Sequence, residues 1–472
     1  METSRARVVG SEMKKFIRQN LTIYRCLVAA GFVVAVILAL AMPVRMIGAS
    51  PWAYYYGVQN FARGELVIDD KTHNQQVREA RQKGGVLIQY LKIGPNQWAL
   101  EKAPGYTLLQ VPFHWLGIPR WANIILALGM VIVTFILMKR WQDEKTACIS
   151  CLLLLFTPVT LIMMNNAYFD SLAALSFLVM GGGLYIYYHL KPAHLRAKKA
   201  GWLLFLVFLF IGWAVVTRYT NITVAAVFVL HYIISRAVYI RKKQAVGLGT
   251  EVTAVALGVA LPLSALLIYN LVVFGSPFKY GYQYSMFPIK FAFQYLGQFT
   301  SEGQSLPLHL LVNNLKSAPL PLLRGFPVLI IGLPAAAVVL YLKLKTNGSA
   351  GRWSDLKNVM PWGILIVLAG WFVGVFLLYL TYEFTAQYLG KGESYIRFAR
   401  FYLPGIFPVV VLAALVTAKL PFRIIIPLLA ALIIAGSIIH THYVQGQDAR
   451  QTFSPPRVSL ENHHYFAWSD FG

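Results

Sequence analysis

Residues 147–164 read ACISCLLLLFTPVTLIMM, residues 165–170 read NNAYFD, and residues 171–189 read SLAALSFLVMGGGLYIYYH. Two apolar runs, each close to the ~20 residues that carry a helix across a bilayer, flank one short polar turn. Neither run alternates apolar and polar residues, so neither reads as a strand of a soluble sheet or of a membrane barrel. The same pattern recurs along the chain at 26–43, 121–138, 201–216, 222–235, 248–273, 326–342, 359–381, 403–418 and 424–441. The reading is an all-α integral membrane protein with about eleven transmembrane helices.

Composition agrees. The 472 residues are 57% hydrophobic and 13% charged, where a soluble chain carries about 25% charged residues. A net charge of +24 raises the question of nucleic acid, but the basic residues sit in short segments between the apolar runs. Lys139, Arg140 and Lys145 fall in one, Lys191, Arg196, Lys198 and Lys199 in the next, and Arg236, Arg241, Lys242 and Lys243 in a third. That is the positive-inside pattern, with contact to anionic lipid, so no nucleic-acid partner is expected. The basic segment 1–25 is then cytoplasmic, 26–43 an uncleaved first span, 26–441 the transmembrane domain, and 442–472 an extracytoplasmic tail. Cys26, Cys148 and Cys151 lie in or beside spans and suggest no disulfide framework.

Large extracytoplasmic loops are expected at about 44–120, 274–325 and 382–402. The first opens on Ser50-Pro51, a capped helix start, and Gly64 suits the stop. Its aromatic residues Trp52, Tyr54, Tyr55 and Tyr56 suit a helix lying on the bilayer surface. Asp170 stands at a span boundary, where a carboxylate needs a partner or a task. It also suits the helix N-cap before Ser171, and the two roles are compatible. Glu101-Lys102-Ala103-Pro104-Gly105-Tyr106 sets an anion and a cation beside a Pro-Gly turn, and Lys can hold a phosphate as a point charge. On residues alone the solvated turn is the favoured reading of this second cluster.

Taken in order, these segments resemble the GT-C glycosyltransferases, a superfamily that includes the lipid A aminoarabinose transferases and the protein O-mannosyltransferases. Trp98 to Tyr106 resembles the family's EKPP-Y or KYPPGY segment, and Tyr168-Phe169-Asp170 its second acidic motif. Tyr269-Asn270 through Phe274-Gly275-Ser276-Pro277 to Gly281-Tyr282 resembles the YN, FGSP and GY segment, and Arg400-Phe401-Tyr402-Leu403-Pro404 the RY-LP segment. The likeness runs over roughly 25–420. It implies a GT-C-like fold and an enzyme, in most such families inverting. Such an enzyme moves a sugar from a polyprenyl-phosphate donor to a glycan, glycolipid or protein acceptor on the extracytoplasmic face, here of a bacterial plasma membrane.

The resemblance also assigns residues. Lys102 matches the phosphate-binding lysine, with Arg218, Arg397 and Arg400 as further phosphate ligands, since Arg grips phosphate bidentately. Asp170 matches a carboxylate that takes the acceptor proton or steadies positive charge on the sugar. Glu101 matches an acid that helps hold a divalent metal ion, with Tyr106 and Tyr282 in support of substrate or metal. The family's first acid, just before the loop-one helix, has no counterpart in Ile47 to Tyr54. Asp69 and Asp70, just after that helix, are the candidates to fold back in its place as catalytic carboxylates. Two other readings stay open: a transporter or flippase of lipid-linked sugars, and a non-catalytic relative that binds the lipid carrier. A transporter needs ionisable groups at mid-membrane, where these spans hold almost none.

Overall fold

A computed structural model describes residues 22–41, 46, 49–190, 200–241, 248–285, 290–300, 303–344, 360–383, 385 and 399–445. Helix α1 (Ile23–Ala41) leads into a compact unit: α2 (Ala49–Ala62), β1 (Val67–Ile68), α3 (Asp70–Gln82), β2 (Tyr90–Gly94), β3 (Gln97–Leu100) and α4 (Pro104–Trp115). Then follow α5 (Arg120–Trp141), α6 (Glu144–Leu155), α7 (Pro158–Asn165), α8 (Ser171–Leu190), α9 (Ala200–Thr217), α10 (Ile222–Arg241) and α11 (Leu248–Phe274). The last part holds α12 (Leu306–Ser317), α13 (Pro319–Gly325), α14 (Leu329–Leu344), α15 (Trp362–Leu380), α16 (Phe407–Thr417) and α17 (Phe422–Gln445).

Among the described residues every apolar run read from the sequence is helical over most of its length, but not every one is a straight span. Among the described residues seven helices are long and apolar enough to cross a membrane, or nine if each of two bent pairs is one span; α9 and α16 are apolar but shorter. The run at 147–164 breaks into α6 and α7, which meet at 61°. Pro158 has no N–H for the ladder and pushes Thr157 into extended backbone, at ψ 124°. The run at 326–342 becomes α14, joined at 101° to the short α13. Arg218, with extended backbone, separates α9 from a single turn at Tyr219–Asn221. Helices α9 and α10 do not form the close hairpin their spacing suggests: α9 packs mainly on α8 and α11, and α10 on α15.

Helix α8 is the axis of the bundle. Its three consecutive glycines face three different neighbours. A Cβ at Gly181 would meet Ile211 at 2.7 Å, one at Gly182 Trp371 at 2.6 Å, and one at Gly183 Val133 at 2.8 Å. Small residues allow this close helix approach where lipid supplies no hydrophobic drive.

Loop one differs from expectation in a useful way. Helix α2 begins at Ala49, ahead of the expected cap Ser50, and Gly64 follows its end at φ 79°. Its aromatic residues face into the protein. Trp52, Tyr54, Tyr56 and Phe61 are buried, packed in the protein against α4 and a small antiparallel sheet of order β1-β3-β2. Strand β3 delivers Glu101 and Lys102 straight into the mouth of the bundle, and Pro104 then starts α4 as its first residue. The expected Pro-Gly turn is therefore a helix start, which Pro favours. Gly105 rests on the end of α9, since a Cβ there would lie 2.7 Å from the Val216 carbonyl. That contact brings Lys102 beside Arg218.

Candidate functional site

The turn between α7 and α8 is held from below. Asn123 donates to the carbonyls of Met163 at 2.9 Å and Asn166 at 2.8 Å. Tyr106 and Gln110 both donate to the Ala167 carbonyl, at 2.6 and 2.7 Å. Buried backbone carbonyls need such donors. The result is that Asp170 emerges from a clamped turn rather than a loose loop. Tyr106, expected to support substrate or metal, is fully buried and acts on this turn.

Asp170 is half-buried. The Ser171 hydroxyl lies 3.4 Å from its Oδ1, and the Tyr54 hydroxyl is within hydrogen-bonding reach of the carboxylate. Burial, and after it the Asp170 charge, pushes the Tyr54 hydroxyl well above its ordinary range, so Tyr54 stays a proton donor. Loop one thus offers Asp170 a hydroxyl where the sequence lacks an acid.

Three cations gather near the turn that carries this carboxylate. Lys102 Nζ is 3.4 Å from the Tyr282 hydroxyl, 5.0 Å from the centre of its ring and 3.7 Å from Glu101. Burial lowers the Lys102 ammonium below the usual lysine range, Glu101 and Asp170 pull it back up, and Arg400 and Arg218 push it down. Arg218, 8% exposed, donates to Ser171 Oγ at 3.1 Å. Its guanidinium lies over Phe401 at 4.9 Å and Tyr379 at 5.4 Å. Arg400 lies over the same Phe401 ring and over Phe169, each at 4.6 Å. Aromatic faces hold the guanidinium planes in fixed orientation without cancelling their charge. Tyr282 is seated through Gly281, whose Cα lies so close to the Glu101 backbone that no Cβ would fit. Burial raises the Tyr282 hydroxyl well above its usual range, with Glu101 and Asp170 adding to it.

Glu101, Lys102, Asp170, Arg218, Tyr282 and Arg400 therefore share one site. Asp69 and Asp70 do not supply a substitute acid. Asp69 is exposed and caps α3, accepting from the Thr72 N–H at 2.7 Å. Asp70 accepts from Trp98 Nε1 at 2.5 Å, and its own N–H donates to Asn96. Both carboxylates are committed to local structure, as short acids at a helix start commonly are. Arg397 lies outside the described residues. Tyr54, Ser171, Tyr379 and Phe401 were not singled out as site residues. Tyr54 and Tyr379 lie in aromatic-rich runs that resemble an interfacial belt.

The donor set does not suit a divalent cation. Two carboxylates stand among three cationic side chains, one of them ion-paired to Lys102. Among the described residues no three His, Cys, Asp or Glu side chains gather to hold a metal. Positive charge predominates, so the site suits an anion.

Comparison with solved structures gives the fold its relatives. An oligosaccharyltransferase from Archaeoglobus fulgidus in its apo form matches with a TM-score of 0.56 at 12% identity, over 91% of this chain and 57% of that one. The same enzyme in complex with Zn and sulfate matches at 0.53 and 14% identity, over 89% and 53%. ArnT from Cupriavidus metallidurans bound to undecaprenyl phosphate matches at 0.50 and 11% identity, over 91% and 76%. The fold is similar to that of this oligosaccharyltransferase and of ArnT. This chain spans a little over half the length of the archaeal enzyme. No family profile and no characterised protein sequence matches it.

Proposed function

We propose that this protein is a membrane glycosyltransferase that takes a sugar from a polyprenyl-phosphate donor and passes it to an acceptor hydroxyl on the extracytoplasmic face. The observation that carries the reading is that Lys102, Arg218 and Arg400 gather near the half-buried Asp170 at the mouth of an apolar helical bundle, Arg218 donating to Ser171, Arg400 lying over Phe169 and Lys102 meeting Tyr282. Buried positive charge calls for an anion. At the edge of a membrane that anion is a lipid phosphate. The fold likeness supports the same reading, and ArnT in its complex holds undecaprenyl phosphate.

The chemistry follows from charge. The acceptor oxygen bonds to the anomeric carbon while the bond from that carbon to the donor phosphate oxygen breaks. Its electron pair leaves on the phosphate. Lys102, Arg218 and Arg400 meet the negative charge that grows there, and such preorganised stabilisation is a large catalytic effect. Asp170 receives the acceptor proton, oriented by Ser171 and Tyr54. Tyr282 steers the Lys102 ammonium, its hydroxyl 3.4 Å from Nζ. The sugar, the acceptor and inversion at the anomeric carbon are part of the proposal.

The test is sugar transfer by purified protein in nanodiscs, with a polyprenyl-phosphate sugar and a membrane extract as acceptor source. Asp170→Asn should lower turnover by about 10²–10⁴-fold, and Lys102→Ala by about 10²–10³-fold, with unchanged insertion and folding. Full turnover by both variants refutes the assignment. Absence of transfer by the parent protein, with polyprenyl phosphate still bound, favours a carrier-binding protein without catalysis.

A further inference from the structure

Helix α12 presents three faces, because successive residues turn by about 100° around a helix. On the first, Asn314 is buried and donates to the Leu380 and Tyr382 carbonyls at 2.6 and 2.9 Å. This docks α12 on the end of α15 that carries Tyr379 beside Arg218. On the second, Leu308, Val312 and Leu315 follow one another at i, i+4 and i+7, all exposed, Leu308 by 60%. On the third stand His309, Asn313 and Lys316. His309 Nε2 lies 2.9 Å from Asn313 and its Nδ1 3.3 Å from Gln304. The apolar face therefore lies between protein on one side and a polar ridge on the other. The neighbouring chain extends it. Leu296 and Phe299, just before α12, are 75% and 66% exposed, and Leu320 and Leu323 on α13 are exposed too. Helix α13 meets α14 at 101°, so it crosses the end of that helix, and α14 continues with Ile330 and Leu333 exposed. A Cβ at Gly325, where α13 ends, would lie 3.0 Å from Ala399, the residue before Arg400. Helices α12 and α13 thus form a strap across the end of the bundle that carries the site. Single exposed apolar residues are ordinary, but a continuous set calls for a cover.

We propose that this strap rests in the interfacial layer of the lipid leaflet on the side of the site. Leu308, Val312 and Leu315 sink to the acyl chains, and His309, Asn313 and Lys316 stay in water. Lipid fits better than a protein partner for two reasons. The polar ridge lies beside the apolar face, as in a helix lying in the plane of an interface. The apolar surface also runs on without a break into the exposed side of α14, a helix of the membrane bundle. The strap reaches the site through Tyr382. The Ala292 N–H donates to the Thr381 carbonyl at 2.6 Å, and the Phe291 and Tyr382 ring centres are 5.7 Å apart. Tyr382 in turn lies 6.2 Å from Phe401, the ring shared by Arg218 and Arg400. A strap seated in lipid would hold these two arginines at headgroup depth. This lipid contact does not depend on sugar transfer.

The test places single nitroxide labels on the full chain in phosphatidylcholine vesicles, at Leu308→Cys, Val312→Cys, Leu315→Cys, Asn313→Cys and Lys316→Cys in turn. Cys26 is exposed and is replaced by Ser, while Cys148 and Cys151 are buried. Oxygen concentrates among acyl chains and a nickel chelate stays in water. Collisions with oxygen should exceed those with the chelate at 308, 312 and 315, and the order should reverse at 313 and 316. More frequent chelate collisions at 308, 312 and 315 overturn the proposal. So does protection there from both reagents, the mark of a face closed by protein, and so does spin–spin broadening, which would make the face a contact between two copies. Should a label prevent reconstitution, the unlabelled parent protein in vesicles of a diazirine phosphatidylcholine gives a second reading. Lipid adducts should then appear within residues 306–317 as well as on α14. Adducts on α14 with none on 306–317 overturn the proposal equally.

Discussion

At the scale of single residues, the site depends on cations that differ in kind. Arg218 is held by its flat guanidinium, which donates to Ser171 and lies over Phe401 and Tyr379. Lysine has neither the plane nor the fork, so Arg218→Lys should cut turnover at least about tenfold although the charge remains. Wild-type turnover in that variant, with unchanged melting temperature, would show that only the charge matters. Lys102 differs, because burial weakens its hold on a proton. Its ammonium is fully charged well below its lowered range and neutral above it. Turnover should therefore fall on the alkaline side earlier than an ordinary lysine would allow, and Lys102→Arg should carry activity to higher pH. A pH profile that stays superimposable for the two proteins would exclude the ammonium from the step. Asp170 is legible in sequence because a carboxylate at the end of an apolar run needs a partner or a task, whereas Lys102, Arg218 and Arg400 enter only through the resemblance to a family. Tyr54 and Phe401 were not legible, since an aromatic residue there reads equally as belt, packing or site.

At the scale of elements, glycines and prolines decide where chain segments meet. Gly281 sits against the Glu101 backbone. A methyl group there must lift the Tyr282 turn away from Lys102. Gly281→Ala should lower turnover without loss of the bundle, measured as activity against an unchanged helical circular dichroism signal. Pro158 was visible in the sequence, yet the run around it is so apolar that it read as one span. The break has its cause in Pro158 and the residue before it, whereas the angle of 61° follows from tertiary packing. Strand β1 is two residues long, too short to show an alternation, which is why the sheet of loop one was not foreseen. Helix α3 packs on that sheet through His73. His73 is buried, stacked 3.7 Å from Trp98, and burial lowers its pKa to about 4. The unfolded segment binds a proton from about 6.5 downward and the folded one only near 4. Stability of loop one is thus fully present above the unfolded pKa and falls as pH drops through that window, by on the order of 3 kcal/mol. His73→Phe should flatten the loss, read by proteolysis of loop one between pH 7 and pH 4. Equal sensitivity in both proteins would place the acid-labile group elsewhere.

At the scale of the whole molecule, apolar helices with few mid-span charges build a scaffold that holds Lys102, Asp170, Arg218 and Arg400 at one end. The sequence revealed the scaffold well, because helix length and basic loops are direct physical requirements of a bilayer. It revealed the convergence of Lys102, Asp170, Arg218 and Arg400 only through resemblance to a family, since contacts between Gly105 and the end of α9, or Gly281 and Glu101, leave no local pattern. The buried ion pair of Arg236 with Glu251 at 3.0 Å, where α10 meets α11, lies among helix ends opposite those that carry the site. It closes the bundle there, joined by the Tyr188 hydroxyl, which donates to Glu251 at 2.7 Å.

The claim on which the functional reading stands is that the cations at the bundle mouth hold a lipid phosphate. Binding of undecaprenyl phosphate and of undecaprenol, the same chain without phosphate, measures this in the parent protein and in a Lys102→Ala/Arg218→Gln double variant. The parent should favour the phosphate form by at least about tenfold, and the double variant should bind both alike. Equal binding of the two lipids by the parent protein, or an undiminished preference in the double variant, would contradict it.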